Sequence, residues 1–198
     1  TADVFAFASV EDFAVGVGKE TITADGMTVS DNFFSGLGGS ALLGRPFTPG
    51  APDADTAQAA VISWNRWPRH FGGDAAVLGR TLSLKGQSFT VVGVLPPGFR
   101  FPEFDELYLP LRWDESPRTA RNVNAVALLR PGQSIERARA ELTGIATRLE
   151  ETYPETNRGY GVRVIPIRDS YVGADDRRIT IILMSAVGFV LLIMCANL

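Results

Sequence analysis

The residues able to do chemistry are few and scattered. One histidine, His70, stands in the stretch WPRHFGG. Carboxylates gather at Glu103, Asp105 and Glu106, and again at Asp175 and Asp176. General acid–base work needs a group that titrates near neutrality or paired carboxylates in a cleft, and hydrolytic metals need several ligands. A lone histidine between Trp67 and Phe71 reads as a packed or surface residue, since a serine triad or a histidine metal site would lack its other members. The first carboxylate group follows Pro102 and the second precedes an apolar stretch, so both read as solvated loop charges. Gly16-Val17-Gly18-Lys19 has the look of a phosphate loop, but the earlier glycine is missing and Glu20 stands where Ser or Thr must follow the lysine. Gly36, Gly38 and Gly39 end a helix instead of opening one, which excludes a dinucleotide fingerprint. The only cysteine, Cys195, rules out an internal disulfide and a cysteine-based metal site. No catalytic, cofactor-binding or metal-ligating residue is nominated, and no enzymatic activity is expected.

The strongest signal is physical. Every Lys, Arg, Asp and Glu precedes Ile179, and Ile179–Leu198 reads ITIILMSAVGFVLLIMCANL. As a helix at about 1.5 Å per residue, such a run reaches the roughly 30 Å of a bilayer's hydrocarbon core. A transmembrane helix is the expected reading, with lipid as its partner. A helix buried in a soluble protein is the bland alternative. Arg177 and Arg178 at its start would by themselves favour a cytoplasmic entrance, but long domains translocate regardless of charge, so orientation stays open.

Bulk composition fits a folded domain before that helix. Of the 198 residues 45% are hydrophobic and 21% charged, values of a globular chain that can bury a core. A formal charge of −3 argues against nucleic acid as a partner, because phosphate neutralisation needs a basic excess. The chain begins at Thr1 with no signal-peptide pattern and is expected to be a segment of a longer protein.

Elements follow from periodicity and turn residues. Alternation over Val4–Val17 predicts one or two strands, and Ala24-Asp25-Gly26 a turn before a short strand at Met27–Val29. Ser30 is placed to cap a short helix over Asp31–Leu37. A Pro/Gly-rich loop follows, then a buried strand at Ala59–Ser63 and a short helix disturbed by Pro68. TLSLKGQSFTVVGV predicts a β-hairpin turning at Gly86-Gln87. Asn122–Leu129 reads as a strand. Ser134 then caps a helix whose apolar residues Ile135, Ala138, Leu142, Ile145, Leu149 and Tyr153 form one stripe, ended by Pro154. Gly161–Ile167 reads as a strand and Asp169–Asp176 as a linker. Short strands interleaved with a few helices make the fold class α+β.

Six segments, VSDNFFSGLG, LLGRPFT, VISWNRW with HFGGDAAVLGRTLSLKGQSFTVVGVLPPGFRFP, LYLPL, ARAELTGIATRLEETYP and AVGFVLLIMCANL, occur in this order. Together they resemble the MacB-like periplasmic core domain followed by the start of an FtsX-like region, as in ABC-transporter-type permeases and the related duplicated orphan permeases. The resemblance implies a two-lobed extracytoplasmic domain over residues 1–176. One porter-like lobe would comprise about 1–45 and 122–176, and an inserted lobe with the hairpin about 46–121. Residues 177–198 would begin the transmembrane permease region. It further implies a bacterial inner-membrane location with residues 1–176 in the periplasm, a permease dimer or second permease half, and a separate ATPase subunit where the system has one. The function implied is non-enzymatic: coupling helix movement to substrate handling outside the cytoplasm. From the residues alone, the extracytoplasmic part of a single-pass sensor or surface enzyme stays open.

Overall fold

The computed structural model describes residues 2–17, 20–48, 58–84, 86–99, 101, 107–112, 119–171 and 174–196. Two compact units emerge, Ala2–Leu128 and Leu129–Leu198.

In the first unit, one strand of sixteen residues, β1 (Ala2–Val17), pairs antiparallel with β2 (Glu20–Val29). The predicted turn at Ala24-Asp25-Gly26 therefore lies inside β2. What the sequence signalled there is an irregularity: the register slips between Val10 and Phe13, so two residues of β1 face one of β2. The bulge inverts the alternation of β1 and lets one strand serve two cores. Phe5 before it packs in one cluster and Val15 beyond it in the other, although both positions are odd.

The remaining strands are β3 (Leu43–Gly44), β4 (Ala59–Ile62), β5 (Thr81–Leu84), β6 (Gln87–Val94), β7 (Leu107–Pro110) and β8 (Asn124–Leu129). The sheet runs β2-β7-β4-β6-β5-β1, and β1 pairs with β2 again, so six strands close into a ring. β3 hangs on β6 and β8 on β1. The β2–β7 and β4–β6 pairings are parallel, while β1–β5, β4–β7 and β5–β6 are antiparallel.

Every strand of the ring sends residues to one buried cluster: Val15, Ala24, Leu107 and Leu109, Ala60 and Ile62, Val91 and Val94, and Leu82 and Leu84. These fill the interior, as side chains must in so narrow a closed sheet. Alternate residues of β2, β4 and β7 (Met27, Val29, Ala59, Val61, Tyr108) face outward into a second cluster. There, α1 (Phe33–Gly36) lays Phe33 and Phe34 over the sheet. Phe34 meets Tyr108 at 5.4 Å between ring centroids and Phe47 and Phe99 at 5.6 Å each. Ser30 does not cap α1. Its hydroxyl accepts from the Ala6 amide and donates to Asn32, whose side chain donates to the Val4 carbonyl, so the helix start is tied to β1.

The hairpin is as predicted except for one residue. Leu84 pairs with Gln87, so Gln87 opens β6 instead of sitting in the turn, and Gly86 before it has φ 80°. In β6 a slip against Ala60 and Val61 leaves Val92 as an extra residue, which is why Val91 and Val94 both point inward. α2 (Arg66–Phe71) tolerates Pro68 because only two helical residues precede it, within the turn whose amides need no helical acceptor.

The second unit is helical. α3 (Ile135–Thr152) is capped as predicted, the Ser134 hydroxyl accepting from the Arg137 amide. Pro154 ends it and opens α4 (Pro154–Asn157) at once, as proline can at a first helical position. The segment predicted as a strand, residues 161–166, joins no sheet among the described residues, and Ile167 already belongs to α5 (Ile167–Tyr171). Its Val164 carbonyl instead accepts from Arg139 of α3. The predicted linker is also helical: α6 runs Ala174–Ala196 and carries Asp175–Arg178 in its first turns.

Candidate functional site

From Ile179 to Ala196, α6 is eighteen residues long, free of charge, and wholly unburied. Ile181, Ile182, Leu183 and Met184 occupy one full turn and are 61–69% exposed, so apolar surface faces every direction, not one stripe. A soluble core helix hides such residues or confines them to one side. Lipid accepts them all round. The one hydroxyl at the middle of the stretch, Ser185, donates to the Ile181 carbonyl at 2.8 Å and so keeps its hydrogen satisfied inside the helix. Cys195 is a free thiol on the same apolar surface, a small hydrophobe in that setting.

Among the described residues, those considered for chemistry are not brought together. Gly16 and Val17 end β1, where they pair with Thr21 and Glu20 as ordinary ladder residues. Gly18, Lys19, Glu103, Asp105 and Glu106 lie outside the described residues. The backbone of Asp175 and Asp176 is helical, within α6. Among the described residues, no three His, Cys, Asp or Glu side chains gather as a metal would require. Asp74 is committed locally: its carboxylate accepts from the Ala76 amide and caps the turn over Ala75–Val77. At the start of α3 the Glu136 carboxyl titrates below its ordinary range. Its own backbone amide and the Ser134 hydroxyl donate to it, with the charge of Arg139 adding to their effect.

His70 is placed less trivially than its sequence neighbourhood suggested. It sits partly buried at the end of α2, with Nε2 3.0 Å from Nη1 of Arg66 one turn earlier. Arg66 is itself only 5% exposed, and its Nη2 donates to the Thr23 carbonyl of β2. The four-residue spacing of Arg and His on a short helix was visible in the sequence. That the arginine points inward was not.

In the second unit, α3 keeps its stripe half open. Ala138 is buried, but Ile145, Leu149 and Tyr153 are 38–40% exposed. Beyond it the chain is fixed by polar contacts: Asn157 donates to the Leu149 carbonyl and the Gly159 amide to Glu150.

Known proteins can be set against this geometry. Curated proteins give no match. Among solved structures, the extracellular domain of the noncanonic ABC-type transporter YknZ from Gram-positive bacteria superposes with a TM-score of 0.59 at 20% identity, covering 81% of this chain and 80% of that one. A domain of a permease protein from Porphyromonas gingivalis gives 0.58 at 19% identity over 78% of this chain and 68% of that one. The periplasmic region of MacB from Actinobacillus actinomycetemcomitans gives 0.57 at 19% identity, over 78% and 68% respectively. At these identities the likeness is one of fold. The model of the MacB-like periplasmic core domain matches residues 2–145, well over half of the 198. The chain therefore belongs to the family of MacB-like periplasmic core domains.

Proposed function

We propose that residues 1–176 are the extracytoplasmic module of a transport permease and that residues 177–198 begin its FtsX-like membrane region, the two acting together without catalysis. The family supports a periplasmic domain of a transporter permease. The observation that carries the mechanical part is continuity. One helix, α6, starts in the charged residues Asp175–Arg178 and runs unbroken through the apolar stretch. A helix has no soft joint unless proline, glycine pairs or an inserted group interrupts it. Displacing its lipid-embedded part therefore displaces its outer end and what is attached there.

In this reading the membrane is the bacterial inner membrane, lipid contacts Ile179–Leu198, a second permease half completes the assembly, and a separate ATPase drives it. Two lobes, about 1–45 with 122–176 and about 46–121, belong to the same proposal. Limited proteolysis checks them: cuts near residues 45 and 122 support it, whereas a single cut near Leu128 favours the units Ala2–Leu128 and Leu129–Leu198.

Coupling is tested by spin labels on Cys195 and on Ser88→Cys in the transporter reconstituted in lipid nanodiscs. Trapping the ATPase with nucleotide is expected to shift the distance distribution between them. An unchanged distribution while ATP turns over would remove the coupling and leave the anchor.

A further inference from the structure

Exposed apolar side chains are unevenly spread. In the unit Ala2–Leu128 they stand far apart in the sequence, as Val4, Leu42, Trp64, Leu78 and Leu128, the ordinary scatter of a soluble surface. In the unit Leu129–Leu198, Tyr160, Val162, Ile165 and Ile167 follow one another closely and are 42–56% exposed. Ile167 opens α5, and only residues 172 and 173 separate α5 from α6. The open stretch is tied to α3: the Gly159 amide donates to Glu150, and the Val164 carbonyl accepts from Arg139. Val164 is half-buried, while Val162, Arg163 and Ile165 around it are exposed. At its ends the Tyr160 amide donates to the Asn157 carbonyl and the Asp169 amide to the Pro166 carbonyl.

We propose that residues 160–167 lie in the headgroup layer of the bilayer that α6 enters, so that the unit is seated on the membrane as well as tethered to it. The inference rests on the reading of α6 as a membrane helix. Continuity is its first support. α6 starts at Ala174, ahead of the charge-free stretch that begins at Ile179. At about 1.5 Å per residue that first part is about 7 Å long, roughly the thickness of one headgroup layer. The chain therefore meets α5 at the edge of the headgroups, and the exposed apolar surface of residues 160–167 continues that of α6.

Composition is the second support. Aliphatic side chains mixed with tyrosine and arginine suit the boundary between water and lipid. A tyrosine ring settles at headgroup level, and an arginine keeps its charge in the polar layer while its stem lies on apolar surface. The exposed charges from 158 to 169 are Arg158, Arg163, Arg168 and Asp169, a basic excess that anionic headgroups attract. The backbone limits the depth. Residues 161–166 belong to no helix and to no sheet among the described residues. Hydrocarbon would leave such peptide groups without partners, whereas the headgroup layer still holds water.

Nitroxide labels on Val162→Cys and on Ile167→Cys test the seat, each in the whole chain carrying Cys195→Ser, in nanodiscs of phosphatidylcholine and phosphatidylglycerol. Labels on Ser88→Cys in β6 and on Phe189→Cys in α6 supply the water and hydrocarbon references. The ratio of collisions with oxygen to those with a water-soluble nickel chelate is expected to fall between the two references at both sites. That corresponds to a depth of about 5–10 Å at the boundary of headgroups and acyl chains. A ratio equal to that of Ser88 puts the segment in water, and few collisions with either reagent put it against protein. Either result overturns the seat, and a Phe189 label in hydrocarbon then leaves the anchor standing. A Phe189 label with the Ser88 ratio removes the anchor, and the seat falls with it. In the double variant Ile165→Asp, Ile167→Asp the Val162 label is expected to move to the Ser88 ratio while α6 stays inserted. A Val162 label that does not move contradicts the proposal.

Discussion

Leu82 and Leu149 are leucines on amphipathic elements, yet the first is 1% exposed and the second 39%. The difference is one of closure. In the unit Ala2–Leu128 the strands return on themselves, so inward residues fill a common interior and outward ones are roofed by the aromatic residues of α1 and its neighbours. In the unit Leu129–Leu198 the elements are helices whose apolar faces are incompletely covered, and α6 is covered nowhere. One unit is finished by its own side chains. The other leaves its apolar surface open, α6 most of all.

The contrast can be broken most forcefully at Phe34. Its ring is fully buried against four aromatic neighbours, so Phe34→Ala is expected to cost about 3–5 kcal/mol in denaturant unfolding of the Ala2–Leu128 unit. A cost below one kcal/mol would mean that this roof is loosely packed. Next comes Phe189→Arg at the middle of α6. A charge at the centre of a membrane helix raises the insertion cost by about 2.5–3.5 kcal/mol, so the fraction of chain retained in membranes should fall while the fold of Ala2–Leu128 is unchanged. Gly44→Ala should destabilise by about 1–3 kcal/mol, because φ is +69° there and an added Cβ would meet the Val92 carbonyl of the paired strand. The smallest effect is expected at Leu149→Ala, under about 1 kcal/mol, because an already exposed side chain gives up little area. A loss as large as that of Phe34→Ala would show that α3 is packed in solution far more tightly than its exposure suggests.

How much of this was legible depended on whether neighbours in sequence decide the structure. The hairpin β5–β6, the helix capped by Ser134 and the charge-free run of α6 rest on local patterns, and they came through with shifts of a residue or two. The strand β2 did not. Asp25 and Gly26 read as a turn because turn residues in a strand are uncommon, yet they sit where β1 bulges, a feature set by a partner strand and not by the segment itself. The short stretch 161–166 failed for the opposite reason: its alternation is that of a strand, but a strand exists only with a neighbour. Sheet closure, which determines what is inside, depends on pairings as distant as β2 with β7 and left no local trace. As for the candidate site, the apolar helix was readable from composition alone. The inward arginine beside His70 required the fold.

Whether α6 lies in lipid is tested directly by alkaline carbonate extraction of membranes from cells producing the whole chain. The chain is predicted to stay in the pellet, with residues ahead of α6 digested when protease is added outside spheroplasts. Release of the intact chain into the supernatant as a soluble monomer, with α6 protected against protease, would contradict it.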